Sequence, residues 1–145
     1  MLIMEVDRNG LEVLDRDECL RLLALATIGR IGFTSGALPT VLPINFYLDG
    51  EHILVRTGRG TKLDAALHNA VVAFEVDDYD SSYHSGWSVA VTGVVSDVSD
   101  PVELERAHKL PIARWAPMGD EAVLAISTEL VSGRRITADT LPFRG

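Results

Sequence analysis

The heptapeptide Arg56-Thr57-Gly58-Arg59-Gly60-Thr61-Lys62 gathers the residue types that hold a small anion. Its two glycines allow backbone N–H groups to approach a ligand closely. Thr61 offers a hydroxyl donor, Lys62 a point charge and Arg56 a planar fork that matches phosphate. A helix beginning just after the loop aims its N-terminus at the same place. The natural occupant is a phosphate monoester; an ordinary turn with solvated cations is the competing reading. The segment is not a P-loop, which needs four residues between its first glycine and a Gly-Lys pair, and it lacks the dinucleotide fingerprint G-x-G-x-x-G.

Charge makes the segment stand out further. The 145-residue chain carries 13 Lys and Arg against 21 Asp and Glu, a formal charge of −8. The heptapeptide holds three cations and no acid, so the rest of the chain carries −11. Lys62 is one of only two lysines, with Lys109. An acidic body excludes nucleic acid and anionic membrane as bulk partners, since both require clustered cations. One small phosphate at one cationic loop is compatible with it.

Other reactive residue types are less organised. His52, His68, His84 and His108 show no i, i+4 spacing, and no metal site is expected. His52 reads as solvent-facing, and His68 and His108 as helix-end cations. His84, in Tyr83-His84-Ser85-Gly86, is the one that could donate to a substrate if its loop borders a ligand. Asp77-Asp78-Tyr79-Asp80 lacks the Gly and terminal Glu of a calcium loop and reads as a solvated loop. The single cysteine, Cys19, lies on an apolar helix face and reads as packing, with neither a disulfide nor a cysteine-rich zinc site available.

These residues need a scaffold. Asp15 is an N-cap with Glu18 three residues on, and the apolar spacing from Cys19 predicts a helix to about Ala26, stopped by Gly29. Strands follow at Arg30–Thr34 and Pro39–Leu48, with a turn at Ser35-Gly36. Pro43 makes the second of these bulged or an edge strand. Asp49-Gly50 signals a hairpin into Ile53–Thr57. Thr61 caps a short helix from Lys62 to about Asn69. Val71–Val76 and the long alternating Trp87–Val98 are strands, and Asp100-Pro101 opens a helix to about Leu110. Val123–Ile136 reads as a last strand broken near Ser132-Gly133. About six strands with short helices in their connections suggest a small antiparallel barrel in one domain, residues 1–145. Neither a leader segment nor an apolar run near the ~18 residues of a membrane span is apparent, so a cytoplasmic protein is expected.

The order of motifs is informative: Gly29-Arg30-Ile31-Gly32, then Pro39-x-x-x-Pro43-Ile44-Asn45, then the cationic heptapeptide, Val72-Ala73-Phe74-Glu75-Val76 and Trp87-Ser88-Val89-Ala90-Val91-Thr92-Gly93. Over about residues 11–136 this resembles the pyridoxamine 5′-phosphate oxidase-related flavin-binding split barrels. It is most similar to their short, nitroimidazole-resistance-like branch. The resemblance implies a mainly β protein with short helices, a six-stranded antiparallel split β-barrel of the FMN-binding type. It also implies a homodimer with the flavin at the subunit interface. The strand matching Val41, Pro43, Ile44 and Asn45 would run along the isoalloxazine. Arg56 and Thr57 match the strand before the phosphate loop, and Gly60, Thr61 and Lys62 match the loop itself.

Ser88 falls where the oxidase proper has a flavin-contacting glutamine, and Trp115 matches a cover over the ring from the partner subunit. Two departures limit the carry-over. The loop is one residue shorter than in the oxidase proper, which has a second basic residue before the lysine. Thr137–Gly145 contains no histidine to match that enzyme's substrate-binding tail, so genuine pyridoxamine phosphate oxidase activity is not expected. The resemblance thus implies a flavin-dependent oxidoreductase acting on a small molecule. A non-catalytic module binding flavin, deazaflavin or haem is the alternative.

Overall fold

The computed structural model describes residues 5–112 and 120–136. Within them lie nine strands and three short helices, in the order β1 (Glu12–Leu14), α1 (Arg16–Leu25), β2 (Ile28–Ser35), β3 (Leu38–Asn45), β4 (Tyr47–Asp49), β5 (His52–Gly58), α2 (Lys62–Leu67), β6 (Val71–Asp80), β7 (Ser85–Asp97), α3 (Pro101–His108), β8 (Glu121–Ser127) and β9 (Leu130–Ile136). Every strand pairing is antiparallel. The path runs β3-β2-β6-β7-β8-β5-β4, with β9 alongside β7 and β1 on β9, and the sheet does not close on itself. The expected class, an antiparallel split barrel with short helices, is what forms. The strands outnumber the six long runs because β1 and β4 are three-residue pieces and the last run divides in two.

That division follows from β7. Its first part pairs with β9, Gly86↔Ile136 through Thr92↔Leu130, and its end pairs with β8, Val95↔Ile126 through Asp97↔Leu124. The partner changes at Gly93, where a Cβ would lie 2.0 Å from the Ser127 carbonyl oxygen. The break in the last run therefore falls at Thr128-Glu129, not at Ser132-Gly133. Gly133 is paired in β9 with both β1 and β7.

Local signals place most other boundaries. The Asp15 carboxylate accepts the Glu18 N–H at 2.8 Å and starts α1. Gly29 does not end that helix: Ala26 is its cap, and Gly29 is inside β2 because a Cβ there would strike the Phe74 ring at 2.4 Å. Gly50, at φ 60, opens the two-residue hairpin between Asp49 and His52. β3 is an edge strand that tolerates Pro39 and Pro43, and the chain leaves it at Phe46. Asp77–Asp80 is strand, not loop, because β7 supplies partners as far as Asp80↔Ser85.

The core lies on one face of the larger sheet. Ile31, Phe33, Val72, Phe74, Val76, Val89 and Val91 point inward and meet Phe46, Leu22, Leu23 and Leu67. Phe46 and Phe74 stack edge to face at 4.9 Å. The opposite face of β3, β2, β6, β7 and β9 carries the alternate residues, and among the described residues no helix covers it. It remains exposed at Val41, Val71, Val94 and Leu130.

Candidate functional site

The cationic loop is ordered by an acid that its own composition does not advertise. Asp64 lies in the first turn of α2. One carboxylate oxygen accepts the Thr57 hydroxyl at 3.0 Å and the other accepts the Gly60 N–H at 2.9 Å. Thr61 caps the helix: its hydroxyl donates to the Gly58 carbonyl at 2.8 Å and accepts the Asp64 N–H at 3.1 Å. The pattern Thr61-x-x-Asp64 is a variant of the capping box in which the Asp64 carboxylate reaches the Gly60 N–H, while the Thr61 N–H donates to the Gly58 carbonyl. Gly60, at φ 77, makes the reversal possible.

Two of the three cations are already engaged. The Arg56 side chain is 6% exposed, and its Nη2 donates to the carbonyls of Ala107, His108 and Leu110 at the end of α3. Its Nε lies 3.9 Å from the buried carboxylate of Glu121. Arg56 thus anchors α3 to β5. Arg59 pairs with Asp120 at 3.1 Å and donates to the Glu121 carbonyl. Lys62 is exposed and takes part in no ion pair among the described residues. The Lys62 and Leu63 N–H groups at the start of α2 also lack an acceptor among them, the usual condition of a helix's first turn. An incoming phosphate would meet these three donors.

The second group of expected residues sits on the uncovered sheet face. Val41, Pro43 and Asn45 alternate onto it from β3, whereas Ile44 points inward and is buried. Ser88 reaches the same face from β7. Cross-strand register joins the two: Pro43 lies opposite Arg30, Arg30 opposite Glu75, and Asp77 opposite Ser88. Beside Ser88 is a cavity of about 290 Å³, lined among others by Glu75, Asp77, Trp87 and Arg134, with Leu11 from the N-terminal segment as one wall. A wider recess of about 490 Å³ adjoins it around Tyr79, Asp80 and Arg135. Arg30, Glu75 and Asp77 were missed in the sequence because only pairing of β2 with β6 brings them together. Partial burial and the neighbouring Asp77 push the Glu75 carboxyl up to about 7.

The remaining candidates are peripheral. His84 is exposed at φ 48 in the loop between β6 and β7. His68 caps α2 with Nδ1 3.4 Å from Asp97, and His52 and His108 face solvent. Among the described residues no group of three His, Cys, Asp or Glu side chains is placed to hold a metal. Cys19 is buried in the core, where burial pushes its thiol up, away from reactivity. Trp115 lies outside the described residues.

Comparison with known proteins bears directly on this arrangement. The family model described as pyridoxamine 5′-phosphate oxidase matches residues 15–135. An uncharacterized protein of Mycobacterium tuberculosis is 41% identical over 132 residues, covering 88% of this chain and 86% of the relative. The solved structure of the FAD binding protein from Mycobacterium smegmatis superposes with a TM-score of 0.74 at 34% identity, covering 86% of this chain and 97% of that one. The FAD and heme binding protein from the same organism shares the fold at 17% identity and a TM-score of 0.69, covering 90% of this chain and 75% of that one.

Proposed function

Because this chain belongs to the pyridoxamine 5′-phosphate oxidase family, we propose that it binds a phosphorylated flavin, FMN or the FMN half of FAD, and uses it as an oxidoreductase on a small molecule. The observation that carries the reading is the loop Gly58–Lys62. Among the described residues Lys62 and two N–H groups at the start of α2 have no partner, while the neighbouring cations are tied elsewhere. These donors suit a phosphate, and Thr57, Gly60 and Thr61 hold the loop in shape through Asp64. Arg56 contributes by fixing β5 against α3. The ring would lie along Val41, Pro43 and Asn45 toward Ser88, with Ile44 supporting the strand from within. Bound flavin supplies two-electron redox chemistry, and the protein supplies orientation and access.

A homodimer completes this reading. Val41, Val71, Val94 and Leu130 are 67%, 68%, 49% and 67% exposed on a single sheet face. A row of this kind without a cover marks an interface. A two-fold dimer on that face would place the flavin between subunits. Among the described residues no helix is long and apolar enough to cross a membrane, and a cytoplasmic setting fits a lone thiol with no partner to bridge.

The test is purification followed by a visible spectrum and mass measurement of the released cofactor. Flavin absorbance with an FMN or FAD mass supports the reading. A deazaflavin or haem mass replaces the cofactor, and a colourless protein that takes up neither FMN nor FAD overturns the proposal. Turnover of a reduced nicotinamide by the loaded protein separates an enzyme from a carrier.

A further inference from the structure

We propose that the Glu75–Asp77 carboxyl pair, gathered on Arg30 beside the Ser88 cavity, is the acid that delivers a proton to an electron-accepting small molecule bound there. The inference rests on the flavin reading above. Its basis is a cluster in which one cation faces two acids. A single guanidinium nitrogen, Nη1 of Arg30, contacts Oε1 of Glu75 at 3.2 Å and Oδ2 of Asp77 at 2.8 Å. With both carboxyls ionised the trio carries a net negative charge. A proton on one of the two carboxyls would make the trio neutral.

The surroundings favour keeping that proton. β7 places Ala90 opposite Glu75 and Ser88 opposite Asp77, and neither is charged. β3 contributes Pro43 to the same row. From β9 comes Arg134, whose Nε is already held by Asp7 at 2.9 Å. Arg30 opposes protonation, but burial and Asp77 outweigh it. A carboxyl poised near neutrality is matched to proton transfer at neutral pH.

Position links the pair to the proposed ring site. Pro43 reaches Glu75 through Arg30, and Ser88 stands opposite Asp77, so two proposed flavin contacts bracket the acid on one face. The acceptor, a quinone-like carbonyl compound, takes a hydride with its two electrons from reduced flavin. Its oxygen takes the proton from Glu75. The acceptor is reduced to a hydroxyl compound, the flavin is oxidised, and the Glu75 carboxylate regains a proton from water by way of the exposed Asp77.

The experiment uses FMN-loaded protein, reduced anaerobically with dithionite and mixed rapidly with a naphthoquinone probe across neutral pH. The rate of flavin reoxidation should fall as pH rises through about 7. Glu75→Gln should lower the rate below that pH by about 10²-fold and remove the break. Asp77→Asn should move the break to lower pH, because a neighbouring negative charge is gone. A ¹³C-carboxyl titration of the unloaded protein gives a second readout, with Glu75 titrating near 7 in the native chain and lower in Asp77→Asn. Titration of Glu75 in the ordinary carboxylate range overturns the assignment. So does a Glu75→Gln protein that loads FMN and keeps the native rate profile. If Glu75→Gln does not load, Asp77→Asn decides: an unmoved break overturns the assignment. Failure of the native chain to load any flavin sinks the underlying reading instead.

Discussion

Lys62 and Asp64 divide the work of the loop between them. Asp64 accepts from Thr57 and Gly60, and among the described residues Lys62 has no ion-pair partner. Replacing Lys62 by alanine should weaken FMN binding by roughly 10- to 150-fold, the range for one charge-assisted hydrogen bond of about 1.5–3 kcal/mol. Riboflavin, which lacks the phosphate, should bind the variant and the native chain alike. Titration of both ligands by flavin fluorescence quenching checks this, and an equal loss for the two removes Lys62 from the phosphate. The Thr61 cap was legible in the sequence because it is local. The destination of Arg56 was not, because its acceptors lie more than fifty residues away.

Strand β7 organises the fold, and Gly93 is where it can fail. A methyl group there meets the Ser127 carbonyl oxygen at 2.0 Å and the Ile126 side chain at 2.9 Å. Gly93→Ala should cost about 3 kcal/mol, the upper part of the usual overpacking range. For a chain of this size that is a fall in melting temperature of roughly 10 °C. Gly32→Ala, whose added methyl would sit 3.5 Å from the Ala73 Cβ, should melt within a degree or two of the native chain. Calorimetry of the pair separates a specific collision from a general intolerance of alanine in strands. The same strand explains what sequence patterning could and could not reach. Pro43 on an edge and the alternation of β7 were readable from single segments. The polar residues Asp77–Asp80 looked like a loop, since nothing local says that β7 will pair with them. The split of β8 from β9 was hidden for a similar reason: it depends on where another strand changes partner.

At the scale of the whole molecule, a charge pair ties helix α1 to the last strand, and one face of the larger sheet is left exposed. Glu18 on α1 accepts from Arg21 and, at 2.7 Å, from Arg135 on β9. These hydrogen bonds lower its carboxyl from 4.5 to about 2. A carboxylate depressed by folding stabilises the native state above its unfolded value, and that contribution is lost as pH falls from 4.5 through about 2. Glu18→Gln should therefore unfold at lower denaturant than the native chain at neutral pH, and the gap should close by pH 2, as urea melts across that window will show. The open face makes the larger prediction. Val71 and Val94 are paired neighbours at the end of the β6–β7 register, both exposed. A carboxylate introduced there is harmless to a solvated monomer but must be desolvated if a second copy packs on it. Val71→Asp should weaken self-association by at least tenfold, the effect of an interface residue worth more than about 1.4 kcal/mol. Because the flavin is proposed to lie between subunits, FMN affinity should fall with it, and added protein should restore both together. Light scattering read alongside flavin binding decides the matter. A Val71→Asp monomer that retains native FMN affinity would show that each chain builds its flavin site alone.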